Sequence, residues 1–471
     1  MRRNAVLMKQ LNDAKGGSAE QLELQVAKAN QELAQLRKKL FGDSSEKKPK
    51  WRSSGKKKKQ QTGHGPTKQP DLPITQEVHE LPAEERVCDS CGGALEAWKE
   101  QFEESTEITV LVREFSYKKH QRQKYRCACG GCIKTAPPPR KLFPGAHYAI
   151  EFAVEVAVGK YADHLPLERQ VKGMARQGLR VTSQTLWDQI AALAKHLEPA
   201  HERLHRYVLQ QPVIGVDETH WRLLNEKLQR DGGNGKRWQA WAVVCENAVS
   251  YRLLPSRSAD AAAAVLEDFS QTLICDGYAA YAALQKRGGA FRIAHCWAHV
   301  RRKFVELESL HPELEETVLK HIGELYAIER ELKESPPAER LAARRLRSKP
   351  IIDRIQRWTF DVECLRESPL RKAIHYMGSC WKGLLVFLDD PLVELDNNHT
   401  ERALRGVVLG RKNHHGSRSE RGTQVAALLY TLVESCKLAG VNPTTYLRDA
   451  TYAAIDGDEI PLPHELRTDA G

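Results

Sequence analysis

Two short apolar runs that each reach an aspartate, PVIGVD at 212–217 and QTLICDGY at 271–278, constrain this chain more than any other feature. Each is too short for a stable helix and reads as a buried strand ending in an acid. Between them RWQAWAVVCENAVSYRLLP reads as two further strands joined by a turn at Glu246-Asn247, and ADAAAAVLEDF as a helix. FRIAHCW adds one more strand and leads into AHVRRKFVELESL. Strands interleaved with helices imply a layered α/β sheet, and acids at strand ends lie where the ligands of such sheets collect.

Downstream, residues 300–390 are almost wholly helical by pattern, as in IGELYAIERELKES and ERLAARRLRS. A further acidic motif, LDNNHTERALRGVVLGRKN, opens a helix near Thr400, and GTQVAALLYTLVESCKLAG is a helix stopped by Gly440. The order predicts that Asp217, Asp276 and Glu401 meet at the sheet edge. Three carboxylates repel one another unless a cation lies between them. Two Mg²⁺ (or Mn²⁺) ions sharing an aspartate meet that demand, and such a pair suits in-line phosphoryl displacement. Asp396, Asn397 and Asn398 are expected to cap the Glu401 helix.

The first half of the chain differs in texture. Leu22, Val26, Ala29, Leu33, Leu36 and Leu40 form a heptad seam of under three repeats, either a self-association helix or an amphipathic helix packed on its own domain. Residues 42–75 read as a flexible linker, and eight of the fourteen residues from Glu46 to Lys59 are Lys or Arg. Within it Lys56, Lys57, Lys58 and Lys59 suit a sequence-blind phosphate contact. Cys88-x-x-Cys91 and Cys129-x-x-Cys132, each with an adjacent Gly-Gly pair, are expected to hold one structural Zn²⁺, with Cys127 as the alternative ligand. The basic stretch between them makes this a zinc ribbon-like DNA-contact module. Further on, a helix over Leu167–Gln177, a turn at Gly178 and a second helix capped by Ser183 fit a helix-turn-helix or any helical hairpin.

Charge narrows the partners. Lys and Arg number 72 against 61 Asp and Glu, a net charge of +11 that favours a polyanion, nucleic acid before membrane. No run of eighteen apolar residues exists, and the N-terminus lacks the apolar core of a secretory signal. Eleven cysteines, five of them between Cys88 and Cys132, suit a reduced compartment and one metal cluster, so a cytoplasmic protein is expected.

The arrangement of acids resembles the ribonuclease H-like catalytic core of DDE transposases, with the first acid on the first strand, the second on the fourth and the Glu on a late helix. In detail, LRKKLFGDSSEK, CDSCGGAL, KYRCACGGC, VDET, DGYAAY, AHCWAHVRRKF, LDNNHTERALR, GRKN and ESCKLAGVNPTTYLRD are similar to segments of insertion sequence 66 family transposases and cover nearly the whole chain. The resemblance implies a bacterial, DNA-associated mobile-element enzyme that binds element ends, cleaves strands and joins them to target DNA. It makes Asp217, Asp276 and Glu401 the metal-binding catalytic acids and the interval from Asp276 to Glu401 a helical insertion. It also suggests accessory proteins from the same element; a homo-oligomer is expected.

His299, in a Cys-x-x-His string, and Arg402 and Arg405, beside Glu401, are candidates to orient an acid or a phosphate. Arg411 and Lys412 are candidates for the DNA backbone. The expected division is an N-terminal helix or short coiled coil (1–41), linker (42–75), zinc module (76–140), helical region (141–210), catalytic core (211–436, insertion 305–390) and tail (437–471), a multidomain α+β chain. A DNA-binding relic or regulator without catalysis, or a nuclease without joining activity, are the alternatives.

Overall fold

The computed structural model describes residues 78–80, 82, 85–86, 90–95, 97, 114–126, 132–224 and 236–466. The chain divides into a smaller unit, Phe41–Glu114, and a larger one whose described part begins at Phe115. In the smaller unit Ser90 and Cys91 form a turn, and Gly92 follows with φ +71°. The Leu95 N–H donates to the Arg86 carbonyl at 2.8 Å, which closes the loop that carries the first cysteine knuckle. The N-terminal helix, the basic linker with Lys56, Lys57, Lys58 and Lys59, and Cys88, Cys127 and Cys129 lie outside the described residues. Cys91 and Cys132 are described and exposed.

The larger unit is a mixed α/β structure. A short antiparallel pair, β1 (Lys124–Arg126) and β2 (Ile133–Thr135), precedes three helices, α1 (Ile150–Tyr161), α2 (Leu167–Arg176) and α3 (Ser183–Leu209). The turn after α2 uses Gly178 at φ +84°, a conformation in which a Cβ would be strained. α3 is capped one residue before the expected position: Thr182, not Ser183, has extended φ/ψ, and its Oγ1 accepts from Thr185 N–H at 3.1 Å. Along α3 the apolar positions Leu186, Ile190, Leu193, Leu197, Leu204 and Val208 are all buried. The helix is therefore a strut of the main core along most of its length.

The central sheet holds β3 (Val213–Leu223), β4 (Lys236–Val244), β5 (Val249–Leu254), β6 (Thr272–Cys275) and β7 (Arg292–His295) in the order β5-β4-β3-β6-β7. β3, β4 and β5 are antiparallel neighbours, whereas β6 and β7 run parallel to β3. α4 (Ala259–Leu266) lies in the connection from β5 to β6, and α5 (Ala279–Lys286) in that from β6 to β7. The edge strand β5 is covered rather than left open. α12 (Glu420–Ala439) lays Thr431 and Ser435 against it, and their hydroxyls accept from the N–H groups of Tyr251 and Val249 at 2.8 and 3.0 Å. Two buried hydroxyls on this helix thus satisfy donors of an edge that would invite another chain. α13 (Pro443–Asp456), in the segment expected as a tail, packs on α1 and α3 and buries Tyr446, Leu447 and Ala450.

The helical insertion builds a second core. α6 (Trp297–Val305), α7 (Val318–Glu331), α8 (Pro337–Ala343), α9 (Lys349–Asp361) and α10 (Pro369–Leu384) follow β7. Trp297, Phe304, Ile322, Leu325, Ile352, Met377 and Phe387 fill this core, joined to the sheet through Ile274 and Ala294. A π-helical stretch, Arg344–Ser348, buries Arg344 completely. Its guanidinium makes two bonds to Glu329 at 2.8 and 2.6 Å and donates to the Phe387 and Asp390 carbonyls. α11 (Asn398–His414) then returns to the sheet along β3 and β4. No helix among the described residues is long and apolar enough to cross a membrane.

Candidate active site

Strand register alone places the two aspartates. β3 pairs with β6 in parallel through Gly215↔Ile274, so two residues further along each chain Asp217 comes level with Asp276. β3 does not end at Asp217, as the sequence suggested, but continues to Leu223 paired with β4. What ends there is the parallel neighbour: β6 stops at Cys275 and leaves Asp217 beside the opening. Asp217 accepts the N–H of Glu218 at 2.8 Å, and Asp276 accepts the N–H of Tyr278 at 2.9 Å at the turn into α5.

Glu401 reaches the same region because the start of α11 is fastened onto β3. Asn397 occupies the N-cap position, but its side chain does not cap. Its Nδ2 donates to the Val216 carbonyl at 3.0 Å, its Oδ1 accepts from Thr400 Oγ1 at 2.7 Å, and its backbone N–H meets Cys296 Sγ at 3.2 Å. The local Asx interaction comes instead from Asp396, which accepts both the backbone N–H and Nδ2 of Asn398 at 2.9 and 2.6 Å. The fit against the strand is tight. A Cβ at Gly215 would sit 2.0 Å from Thr400 Oγ1 and 2.5 Å from Asn397 Oδ1, so only glycine allows this approach. One buried asparagine thus links the strand of the first acid, the residue after β7 and the helix of the last acid.

Glu401 is held from α6. His299 Nε2 lies 3.4 Å from its Oε1, and an Arg302 guanidinium nitrogen lies 3.6 Å from its Oε2. His299 Nδ1 is buried with no hydrogen-bond partner among the described residues. Arg302 was not singled out from the sequence, although it stands one helical turn from His299 and shares its face. Arg402 and Arg405, expected beside Glu401, are both exposed; Arg402 acts electrostatically on Glu394 and His399. Arg411 is half-buried and donates to Thr219 Oγ1 at 2.8 Å and to the His220 carbonyl, whereas Lys412 is exposed.

A fourth acid, Glu218, was also missed, although it stands in the VDET motif. Its carboxylate points to the opposite face of the sheet, where it meets Arg257 at 2.5 Å and Tyr281 Oη at 2.8 Å. Arg257 in turn stacks on Tyr278 of the DGY motif, 3.8 Å from the ring centroid.

The electrostatics follow from this inventory. Burial pushes the Asp217 carboxyl up to about 7, and the negative charges of Glu218, Asp276 and Glu401 add to the rise against the opposing Glu218 N–H. Neither Asp217 nor Asp276 has a Lys or Arg ion-pair partner among the described residues; the nearby cations pair with Glu218 and Glu401. Among the described residues no three His, Cys, Asp or Glu side chains converge closely enough to hold one ion between them. The site is a set of half-buried carboxylates, near enough to repel, in which the two aspartates lack a Lys or Arg ion-pair partner among the described residues.

Residues 146–425 match the model of a family described as "Transposase IS66 family". The chain therefore belongs to the IS66 family of transposases. It is 33% identical over 393 residues to "Uncharacterized protein y4jD" of Sinorhizobium fredii (strain NBRC 101917 / NGR234), covering 79% of this chain and 76% of that protein. It is 27% identical over 398 residues to "Uncharacterized protein y4hP" of the same organism, covering 79% of this chain and 71% of the relative.

Proposed function

We propose that this chain is the transposase of a bacterial insertion sequence, and that it cleaves DNA strands at the element ends and joins them to target DNA through Asp217, Asp276 and Glu401. The observation that carries the reading is the register that sets Asp217 level with Asp276, with Glu401 close enough for its charge to raise the Asp217 carboxyl. The strand order β5-β4-β3-β6-β7, with the first acid on the first strand of the sheet, the second directly after the fourth and the glutamate on a late helix, supports a ribonuclease H-like core.

The donor set fits Mg²⁺ or Mn²⁺: hard carboxylate oxygens, two aspartates with no Lys or Arg ion-pair partner among the described residues, and a Glu401 Oε1 that is buried without a hydrogen bond. Asp217, Asp276 and Glu401 would hold the ions, which when bound supply Lewis-acid stabilisation of charge at the reacting phosphate. The protein's own share of the work is positioning. His299 and Arg302 flank the two oxygens of Glu401 at ion-pair distance, and Asn397 and Gly215 fix the helix start against the strand. Arg257 and Tyr281 satisfy Glu218 on the far face, so that its charge is not added unpaired to the cluster. Cleavage is attack of a water oxygen on an element-end phosphodiester with release of a 3′-hydroxyl, and joining is attack of that hydroxyl on a target phosphodiester, whose own 3′ oxygen leaves as the new P–O bond forms and takes up a proton. The reading also includes a zinc module at 76–140, α2 and α3 as a helix-turn-helix, a cytoplasmic DNA-associated setting, self-association and accessory proteins of the same element.

The test is cleavage of an end-containing duplex by Asp217→Asn, Asp276→Asn and Glu401→Gln. Each variant is expected to lose cutting while keeping DNA binding near the wild-type level; wild-type cutting by any of them discards the assignment. Strand-transfer product from the unaltered protein separates a transposase from a nuclease that does not join.

A further inference from the structure

Past the level of Asp217 the β3–β4 pair runs on beyond the strands that flank it, with a bridge from Leu223 to Ser417. β6 pairs with β3 only as far as Gly215, and β5 pairs with β4 only as far back as Gln239. Residues 221–223 and 236–238 therefore extend as a two-stranded ribbon, in the register Trp221↔Trp238, Arg222↔Arg237 and Leu223↔Lys236, with His220↔Gln239 at its base. Its two faces differ. Trp221 and Trp238 are buried on one side, whereas His220, Arg222 and Arg237 are exposed on the other.

The exposed face is electrostatically frustrated. Arg222 stands directly opposite Arg237, and like charges at directly opposed positions destabilise an antiparallel pair. The charges that act on His220 are those of Arg411, Arg237 and Arg222, all cationic. Among the described residues neither Arg222 nor Arg237 has an acidic or hydrogen-bonding partner for its side chain. Such a face is complementary to a polyanion, and two guanidiniums in register match the oxygens of a phosphodiester backbone.

The ribbon is also fixed to the candidate site. Ser417 N–H donates to the Arg222 carbonyl at 2.9 Å, and Leu224 N–H donates to the Ser417 carbonyl at 2.6 Å. Ser417 lies three residues past the end of α11, the helix that carries Glu401, and Arg411 of that helix donates to Thr219 and His220. Along β3 Arg222 lies five residues beyond Asp217, and by the two-residue period of a strand its side chain leaves the sheet on the face of Glu218 rather than on that of Asp217.

We propose that the exposed face formed by His220, Arg222 and Arg237, on the side of the sheet that Glu218 also faces, binds the phosphodiester backbone of duplex DNA without regard to sequence. This rests on the transposase reading above and names where the duplex is gripped.

The test is equilibrium binding of the full-length chain to a labelled random-sequence duplex of about thirty base pairs across a salt titration. The double variant Arg222→Gln/Arg237→Gln is expected to lower the slope of log K against log salt by about 2 and to weaken binding tens of fold at about 0.1 M salt. Its melting temperature should match or exceed that of the unaltered protein, since a like-charge pair has been removed. Arg222→Lys/Arg237→Lys should keep the slope; if it loses slope as the Gln variant does, the effect is structural and the proposal falls. If the unaltered protein shows no salt-dependent DNA binding, the transposase reading itself fails. If it binds and the Gln variant matches it in slope and affinity, only the assignment of this face is overturned. Loss of poly-glutamate binding in the Gln variant, with DNA binding unchanged, would give the face to an acidic protein partner and overturn the proposal.

Discussion

Replacing Asp217 by Asn should stabilise the metal-free protein. The side chain keeps its shape and can still accept the Glu218 N–H, now without charge. Raising the carboxyl from 3.8 to about 7 corresponds, at about 1.4 kcal/mol per pH unit, to about 4 kcal/mol of burial and repulsion carried by the ionised form above pH 7. The weaker hydrogen bond of the amide returns about 1 kcal/mol of that. Because the folded state holds the proton more tightly than the unfolded chain, wild-type stability at this group is intact below about pH 4. It falls as pH rises from about 4 to 7 and is constant above. The variant should therefore match the wild type at pH 4 and exceed it by roughly 3 kcal/mol at pH 8. With an unfolding entropy of about 2.1 cal/mol/K per residue over roughly 350 residues, that is about 4 °C in melting temperature. Calorimetry in a chelating buffer at the two pH values measures it. Mg²⁺ at about ten times its dissociation constant should then raise the wild type by about 1.4 kcal/mol and leave the variant nearly unmoved. A variant no more stable than wild type at pH 8, or a gain of equal size at pH 4, would refute the claim that Asp217 is held in a repulsive, cation-deficient site.

Gly215→Ala should destabilise the protein by about 1–3 kcal/mol and reduce cleavage more than tenfold, because its Cβ would meet Thr400 Oγ1 at 2.0 Å and Asn397 Oδ1 at 2.5 Å. Adding Thr400→Ala should recover part of the melting temperature, and no recovery would count against this contact. Arg344→Met should cost about 3–5 kcal/mol in chemical denaturation by leaving Glu329 partly buried and unpaired. A further Glu329→Gln change should restore part of that. Zinc analysis of the purified full-length chain should give about one ion per molecule, falling sharply in Cys88→Ser; a metal-free preparation that melts like the metal-loaded one would end the zinc assignment.

What the sequence discloses and what it hides divide along the line between local and long-range physics. The start of the strand through Asp217, the strand before Asp276, the turn at Glu246-Asn247, the helix over ADAAAAVL and the stop at Gly440 rest on period, β-branching and turn residues within a few positions, and each is found where the pattern puts it. Asn397 shows where that reasoning ends. Locally, an Asx residue before a helix is a cap, and nothing within ten residues argues otherwise. Its side chain instead bonds Val216, 181 residues away, because Gly215 leaves room for the helix to touch the strand. A missing Cβ is silent in a sequence until its neighbour is known. The same holds for the end of the first strand, which seemed to stop at its acid. The apolar run does end there, yet pairing with β4 carries the backbone on to Leu223 through residues whose outward face is basic. Hydrophobic pattern marks where a strand is buried, not where it is paired, and the gap between the two is where the proposed DNA-binding face lies.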